Sequence, residues 1–106
     1  MDPMLAMIGS VHVADDGALD AIRHRLQRYR TIRVSPSQRV VLIPPIGSFL
    51  VEWDSASVWL HLAATSRRDL DELVSELTAE LMRKPAGFTR IHWAETSEVP
   101  VALVTL

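Results

Sequence analysis

The sequence contains no cysteine, which excludes disulfide bonds, thiolate metal sites and cysteine nucleophiles. No apolar run approaches the roughly 20 residues that a membrane-spanning helix needs. Residues 1–4 lack the basic segment that begins a secretory signal peptide. We therefore expect a cytoplasmic protein that does not engage the membrane.

Motifs of common catalytic and nucleotide-binding sites are also missing. No serine lies in a G-x-S-x-G elbow, and the four histidines show no H-x-H or H-E-x-x-H spacing. Gly47 stands alone between apolar runs, so no glycine-rich loop precedes a helix. The sequence thus predicts no catalytic residue, names no cofactor and favours a non-enzymatic role.

The composition is that of an ordinary globular protein. With 106 residues, of which 48% are apolar and 23% charged, we expect a single domain over residues 1–106. A net charge of -2 argues against a dedicated nucleic-acid binder. One stretch without acidic residues is nevertheless rich in arginine: Arg23, Arg25, Arg28, Arg30, Arg33 and Arg39. We interpret it as a solvated helix face and loop, with an anion-binding patch as the alternative.

The clearest local signal is an amphipathic helix in the second half of the chain. Ser66 and Asp69 have capping-box spacing, with Asp69 in the place usually taken by Glu or Gln. Apolar residues then recur on one helical face: Leu70, Leu73, Val74, Leu77 and Leu81. An acidic stripe is expected to face solvent: Glu72, Glu76 and Glu80. Lys84, Pro85 and Gly87 are expected to end the helix.

Short apolar runs elsewhere predict strands: Leu5–Val13, Val40–Ile43, Phe49–Trp53, Val58–Ala63 and Phe88–Ala94. A first helix is expected over residues 18–30. The tail 95–106, apolar from Val99 to Leu106, predicts an extra C-terminal strand at the sheet edge or donated to a second copy. The fold class is therefore α+β, ordered β-α-β-β-β-α-β(-β), with a mostly antiparallel sheet and two helices on one face.

Three segments resemble a known family: SVHVADDGALDAI, VVLIPPIGSFLVEWDSASVWLHLAATSRRDLDELVSELTAEL and FTRIHW. Over residues 8–94 the chain resembles the DUF2218 family, small bacterial proteins of unassigned function, some fused to siderophore-interacting reductase domains. The resemblance implies the same order of elements and a closing tryptophan, Trp93. Family members have two histidines and a lysine near the end of the first helix. This chain has Gln27, Arg30 and Thr31 there, so no functional residue carries over.

Strand alternation predicts that polar residues share one face of the sheet. If the apolar residues that alternate with them face the helices, the opposite face presents His12, Glu52, Trp59, His61, Arg90 and His92. From this set we take as candidate ligand-binding residues Glu52, Trp59, His61, Arg90 and His92. The histidines and Glu52 would suit a divalent metal ion, although no spacing motif supports a metal site. We favour a second interpretation of the same face, as a dimer or interaction interface with Trp59 at its centre.

Two functions remain open from the sequence. The first is a small accessory or interaction module, homodimeric through the open sheet face or the last strand, with another protein as a further partner. The alternative is a small-ligand- or metal-binding protein, or a small enzyme, with a pocket beside Glu52, His61 and His92. Nucleic-acid contact through residues 23–39 is a third and weaker idea. The sequence names no substrate, pathway or natural partner.

Overall fold

The chain folds around a six-stranded antiparallel sheet. A computed structural model describes residues 4–12, 20–21, 24, 26–43, 47–54, 57–82 and 91–104. The strands are β1 (Leu5–His12), β2 (Arg30–Ser35), β3 (Gln38–Ile43), β4 (Gly47–Trp53), β5 (Ser57–Ala64) and β6 (Ile91–Thr96). Two helices lie wholly within the described residues, α1 (Arg67–Met82) and α2 (Val101–Val104). The strand order is β2-β3-β4-β5-β1-β6, so the α+β class and the antiparallel sheet are confirmed.

Helix α1 forms as predicted. The backbone N–H of Asp69 donates to Oγ of Ser66 at 3.1 Å, which satisfies one of the unpaired donors of the first turn. The leucines of the apolar face are at most 1% exposed: Leu70, Leu73, Leu77 and Leu81. In the part of the chain that the structure describes, no helix is long and apolar enough to cross a membrane.

The acidic stripe of α1 is only partly a solvent face. Glu72 and Glu76 are exposed, but Glu80 is buried, so the prediction is wrong for that residue. Glu80 follows Leu77 by three residues and therefore lies at the border of the apolar face. Its Oε1 is 3.0 Å from Nη1 of Arg28, which reaches it from the segment before β2.

The first predicted helix is shorter than expected at its C-terminal end. Of its described residues, Asp20, Ala21, His24 and Leu26 are helical, and Leu26 packs into the same core as α1. The prediction that the helix reaches residue 30 is wrong, because residues 27–28 form a turn and Arg30 begins β2. Strand β2 is absent from the predicted order. It forms a hairpin with β3 at the edge of the sheet.

The C-terminal segment is helical and packs on the opposite face of the sheet from α1. The predicted strand over Val99–Leu106 is wrong for the described residues, because α2 spans Val101–Val104. Pro100 explains the difference: it has no N–H for a strand ladder, and its fixed φ suits the first turn of a helix. The N–H of Leu103 donates to the carbonyl oxygen of Pro100 at 3.0 Å, and Leu103 is buried with Val40, Leu50 and Ala63.

Two glycines are required by local geometry. Gly9 on β1 lies opposite Trp93 on β6, and a β-carbon at position 9 would be 2.6 Å from the indole ring. The indole Nε1–H of Trp93 donates to Oγ1 of Thr78 at 3.3 Å, so the ring fastens the edge strand β6 to α1. Gly47, at the start of β4, has a φ of 151°, which L side chains rarely adopt.

Candidate ligand-binding site on the open sheet face

The face of the sheet opposite α1 presents most of the polar residues selected from the sequence. Each of these residues lies between core residues that pack beneath α1. Because side chains alternate along a strand, the polar residues point to the other face. This holds for Glu52, Trp59, His61 and His92, as the alternation predicted.

The strand register aligns these side chains in a row. Five neighbouring strands each contribute one residue, in the order Gln38, Glu52, Trp59, Ser10 and His92. His61 follows Trp59 by two residues on β5 and points to the same face. The row together with His61 is termed the open strip. Its members are held by the rigid sheet rather than by loops, which favours a fixed binding geometry.

The carboxylate of Glu52 is oriented from two sides. The side-chain amide of Gln38 donates through Nε2 to Oε2 of Glu52 at 2.8 Å. Nε2 of His61 lies 3.5 Å from Oε1 of Glu52, a contact that becomes an ion pair when the imidazole is protonated. The side chains of Glu52 and His61 are 36% and 23% exposed, so both remain accessible from solvent. The strip therefore presents a positioned acceptor beside the ring of Trp59.

Helix α2 bounds the open strip on one side. Val40 and Leu50 lie in the cross-strand row that continues to His61, and Leu103 covers the apolar part of that row. Met4 is packed against the same apolar cluster. The face of the sheet opposite α1 thus has an apolar part covered by α2 and, next to it, the open strip.

Not all of the predicted site residues come together. His92 is exposed and is separated from β5 by β1, which puts it roughly 10 Å from Trp59 at two strand spacings. The pocket predicted beside Glu52, His61 and His92 is therefore not one cluster. Arg90 lies outside the described residues, as does the side chain of His12.

Sequence reasoning missed Gln38. Its signal was the two-residue period: a strand extended back from Val40 puts residue 38 on the same face as residue 40. Within the described residues, no group of three or more His, Cys, Asp or Glu could hold a metal ion. The metal interpretation of this face thus gains no support from the residues that the structure positions.

The arginines of the 23–39 segment do not all lie together, although Arg33 and Arg39 are cross-strand partners in the hairpin of β2 and β3. Arg28 pairs with the buried carboxylate of α1, and the guanidinium of Arg39 lies 5.9 Å from the ring centroid of Trp53. Arg30 and Arg33 are exposed on β2 and point to opposite faces because they are three residues apart. The other two arginines of the segment lie outside the described residues. The described arginines therefore form no single anion-binding surface.

Comparisons with known proteins inform the fold alone. No family model matches the chain, and no curated protein matches it. The NMR structure of PA4090 from Pseudomonas aeruginosa is similar, with a TM-score of 0.56 and 12% sequence identity, over 85% of this chain and 95% of that chain. At this identity the likeness concerns the arrangement of strands and helices and does not extend to ligands or activity. The chain is thus similar in fold to PA4090.

Proposed function

We propose that the protein is a small binding module and that the open strip is its binding surface. The observation behind the proposal is the fixed set of groups on that strip: an oriented carboxylate at Glu52, the half-buried ring of Trp59 beside it, and polar side chains on both sides. Binding sites commonly combine an aromatic or apolar surface with a few positioned polar groups. We also propose membership of the DUF2218 family, on the resemblance described above.

The position of α2 favours a small ligand or a narrow protein segment over a second flat sheet. Two sheets stack about 10 Å apart, and a helix that packs on a sheet occupies a layer of similar thickness. Helix α2 already fills that layer above Val40, Leu50 and Ala63. A second sheet could not close onto the strip without moving α2, whereas a ligand lying along its edge could.

Native mass spectrometry of the protein purified from its own host, without chelators, tests this proposal. We expect an added mass on the wild-type chain that is lost in Trp59→Glu, because a carboxylate there would disrupt the aromatic surface. The matched control is Ser75→Glu, which adds the same charge on the exposed side of α1. An added mass that persists in both variants would contradict the proposal, as would a bare mass in the wild type.

A second candidate function is self-association through the edge strand β2. Ile32 and Val34 are 41% and 45% exposed on this strand, and an open edge presents unpaired backbone groups to another chain. If two copies paired antiparallel about Ile32, Arg30 would face Val34 of the second copy, so the arginines would not directly oppose each other. We propose this mode of self-association in place of the donated C-terminal strand, because residues 101–104 form helix α2 instead of a strand.

Analytical ultracentrifugation distinguishes self-association through β2 from self-association through the open strip. Association through β2 predicts a dimer that Ile32→Lys converts to monomers and that Trp59→Glu leaves intact. A dimer lost only in Trp59→Glu would instead assign the second copy to the open strip. A wild-type protein that stays monomeric at high concentration would exclude both forms of self-association.

A further inference from the structure

We propose that Trp59 and Glu52 together form a site for an organic cation, either a quaternary ammonium or a guanidinium group. This inference rests on the proposed function of the open strip and names its ligand chemistry. The two residues are direct cross-strand partners of β4 and β5, so their β-carbons lie about 5 Å apart on the same face. A cation over the indole face would therefore have the carboxylate of Glu52 within reach as its counter-ion.

The charge of Glu52 is available to such a ligand. Its contacts are the neutral amide of Gln38 and the imidazole of His61, and neither brings a permanent positive charge. Four other carboxylates of the described residues pair with arginine: Asp71, Glu72, Glu80 and Glu95. The carboxylate of Glu52 is held in place by groups other than arginine, so its negative charge is not neutralised. A bound cation would therefore find an oriented counter-ion there.

On the face of the sheet that packs against α1, the protein itself contains a contact between a cation and a tryptophan ring. There the guanidinium of Arg39 on β3 lies 5.9 Å from the ring centroid of Trp53 on β4. On the strip side, the neighbouring position of β3 is the neutral Gln38, whose amide is directed to Glu52 instead. Among the described residues no cation lies over Trp59, so a ligand would supply there what Arg39 supplies to Trp53.

Two-dimensional ¹H–¹⁵N NMR tests the inference through the indole N–H resonances of the three tryptophans, with Trp59 assigned from Trp59→Phe. Choline is the quaternary ammonium probe, and 3,3-dimethylbutan-1-ol is its neutral isostere. Nα-acetylarginine methylamide is the guanidinium probe, and the matching citrulline amide is its neutral control. We expect a saturable shift of the Trp59 resonance with a cationic probe, no such shift with its neutral control, and unmoved Trp53 and Trp93 resonances.

A saturable shift of the Trp59 resonance with choline would identify the ligand as a free quaternary ammonium compound. A saturable shift with the arginine amide alone would identify it as an arginine side chain of a partner protein. Glu52→Gln should weaken the binding about tenfold through loss of the counter-ion, while Glu76→Gln on the exposed side of α1 should leave it unchanged. Equal binding of charged and neutral probes at Trp59 would overturn the inference and leave the proposed function intact. No saturable shift with any probe would also overturn it, and the native mass measurement then decides the proposed function separately.

Discussion

Substitution of Gly9 by alanine should destabilise the fold through one specific collision. Gly9 lies beneath the indole ring of Trp93, and a β-carbon there would be 2.6, 2.8 and 2.9 Å from three ring atoms. Ordinary contacts of a β-carbon begin near 3.4 Å, so the overlap reaches several tenths of an ångström. Movement of the ring away from position 9 would also disturb the hydrogen bond from its Nε1–H to Thr78 on α1.

The cost of this collision can be estimated from comparable overpacked sites. Forcing an extra methyl group into a packed position costs about 1–3 kcal/mol. If Trp93 is first replaced by valine, the obstacle is removed, and Gly9→Ala should stabilise by about 0.5–1 kcal/mol because the unfolded chain loses conformational freedom. The two substitutions should therefore be coupled by about 1.5–4 kcal/mol.

Urea unfolding followed by circular dichroism, applied to the wild type and to the Gly9→Ala, Trp93→Val and double variants, measures this coupling. Ser10→Ala is the control on the same strand, and its exposed side chain predicts a change within about 0.5 kcal/mol. If Gly9→Ala costs the same with and without the indole ring, the requirement for glycine does not come from Trp93 and the reasoning is refuted.

Three further substitutions test separate features of the fold by the same denaturation assay. Gly47→Ala should cost about 1–3 kcal/mol because an L residue is strained at a φ of 151°, and no loss would contradict that backbone geometry. Ser66→Ala should cost about 1 kcal/mol through loss of the N-cap, whereas Ser75→Ala on the exposed side of the same helix should change little. Leu103→Ala should cost about 2–3 kcal/mol if α2 is docked on the sheet, and a neutral result would show that the C-terminal segment does not pack there.

Elements whose own residues carry a cap or an apolar period could be predicted from the sequence. Strand β2 has no such pattern and could not be predicted. Helix α1 has both a cap at Ser66 and an apolar period, so its existence follows from neighbouring residues alone. Strand β2 (Arg30–Ser35) is largely exposed on both sides and shows no two-residue burial period. It is a strand because β3 supplies hydrogen-bonding partners, which is tertiary information. The prediction therefore ended the preceding helix at residue 30 and gave no strand to the residues that follow.

The candidate site was likewise predictable only in part. Alternation along single strands was enough to place Glu52, Trp59 and His61 on one face. The order of strands across the sheet cannot be read from alternation, and it inserts β1 between β5 and β6, which separates His92 from the rest. The same long-range pairing puts Gln38 beside Glu52. Facing directions could thus be predicted, whereas the neighbours on that face required the register.

The most direct test of the open strip as the binding surface is ¹⁹F NMR of the protein labelled with 5-fluorotryptophan. Trp53 and Trp93 pack with the core beneath α1, and Trp59 lies on the strip, so the three resonances report on the two faces separately. The spectrum is recorded before and after addition of a protein-free, small-molecule extract of the host cell. The account predicts that the Trp59 resonance alone shifts and that it returns after dialysis. A shift confined to Trp53 or Trp93, or no shift at all, would contradict it.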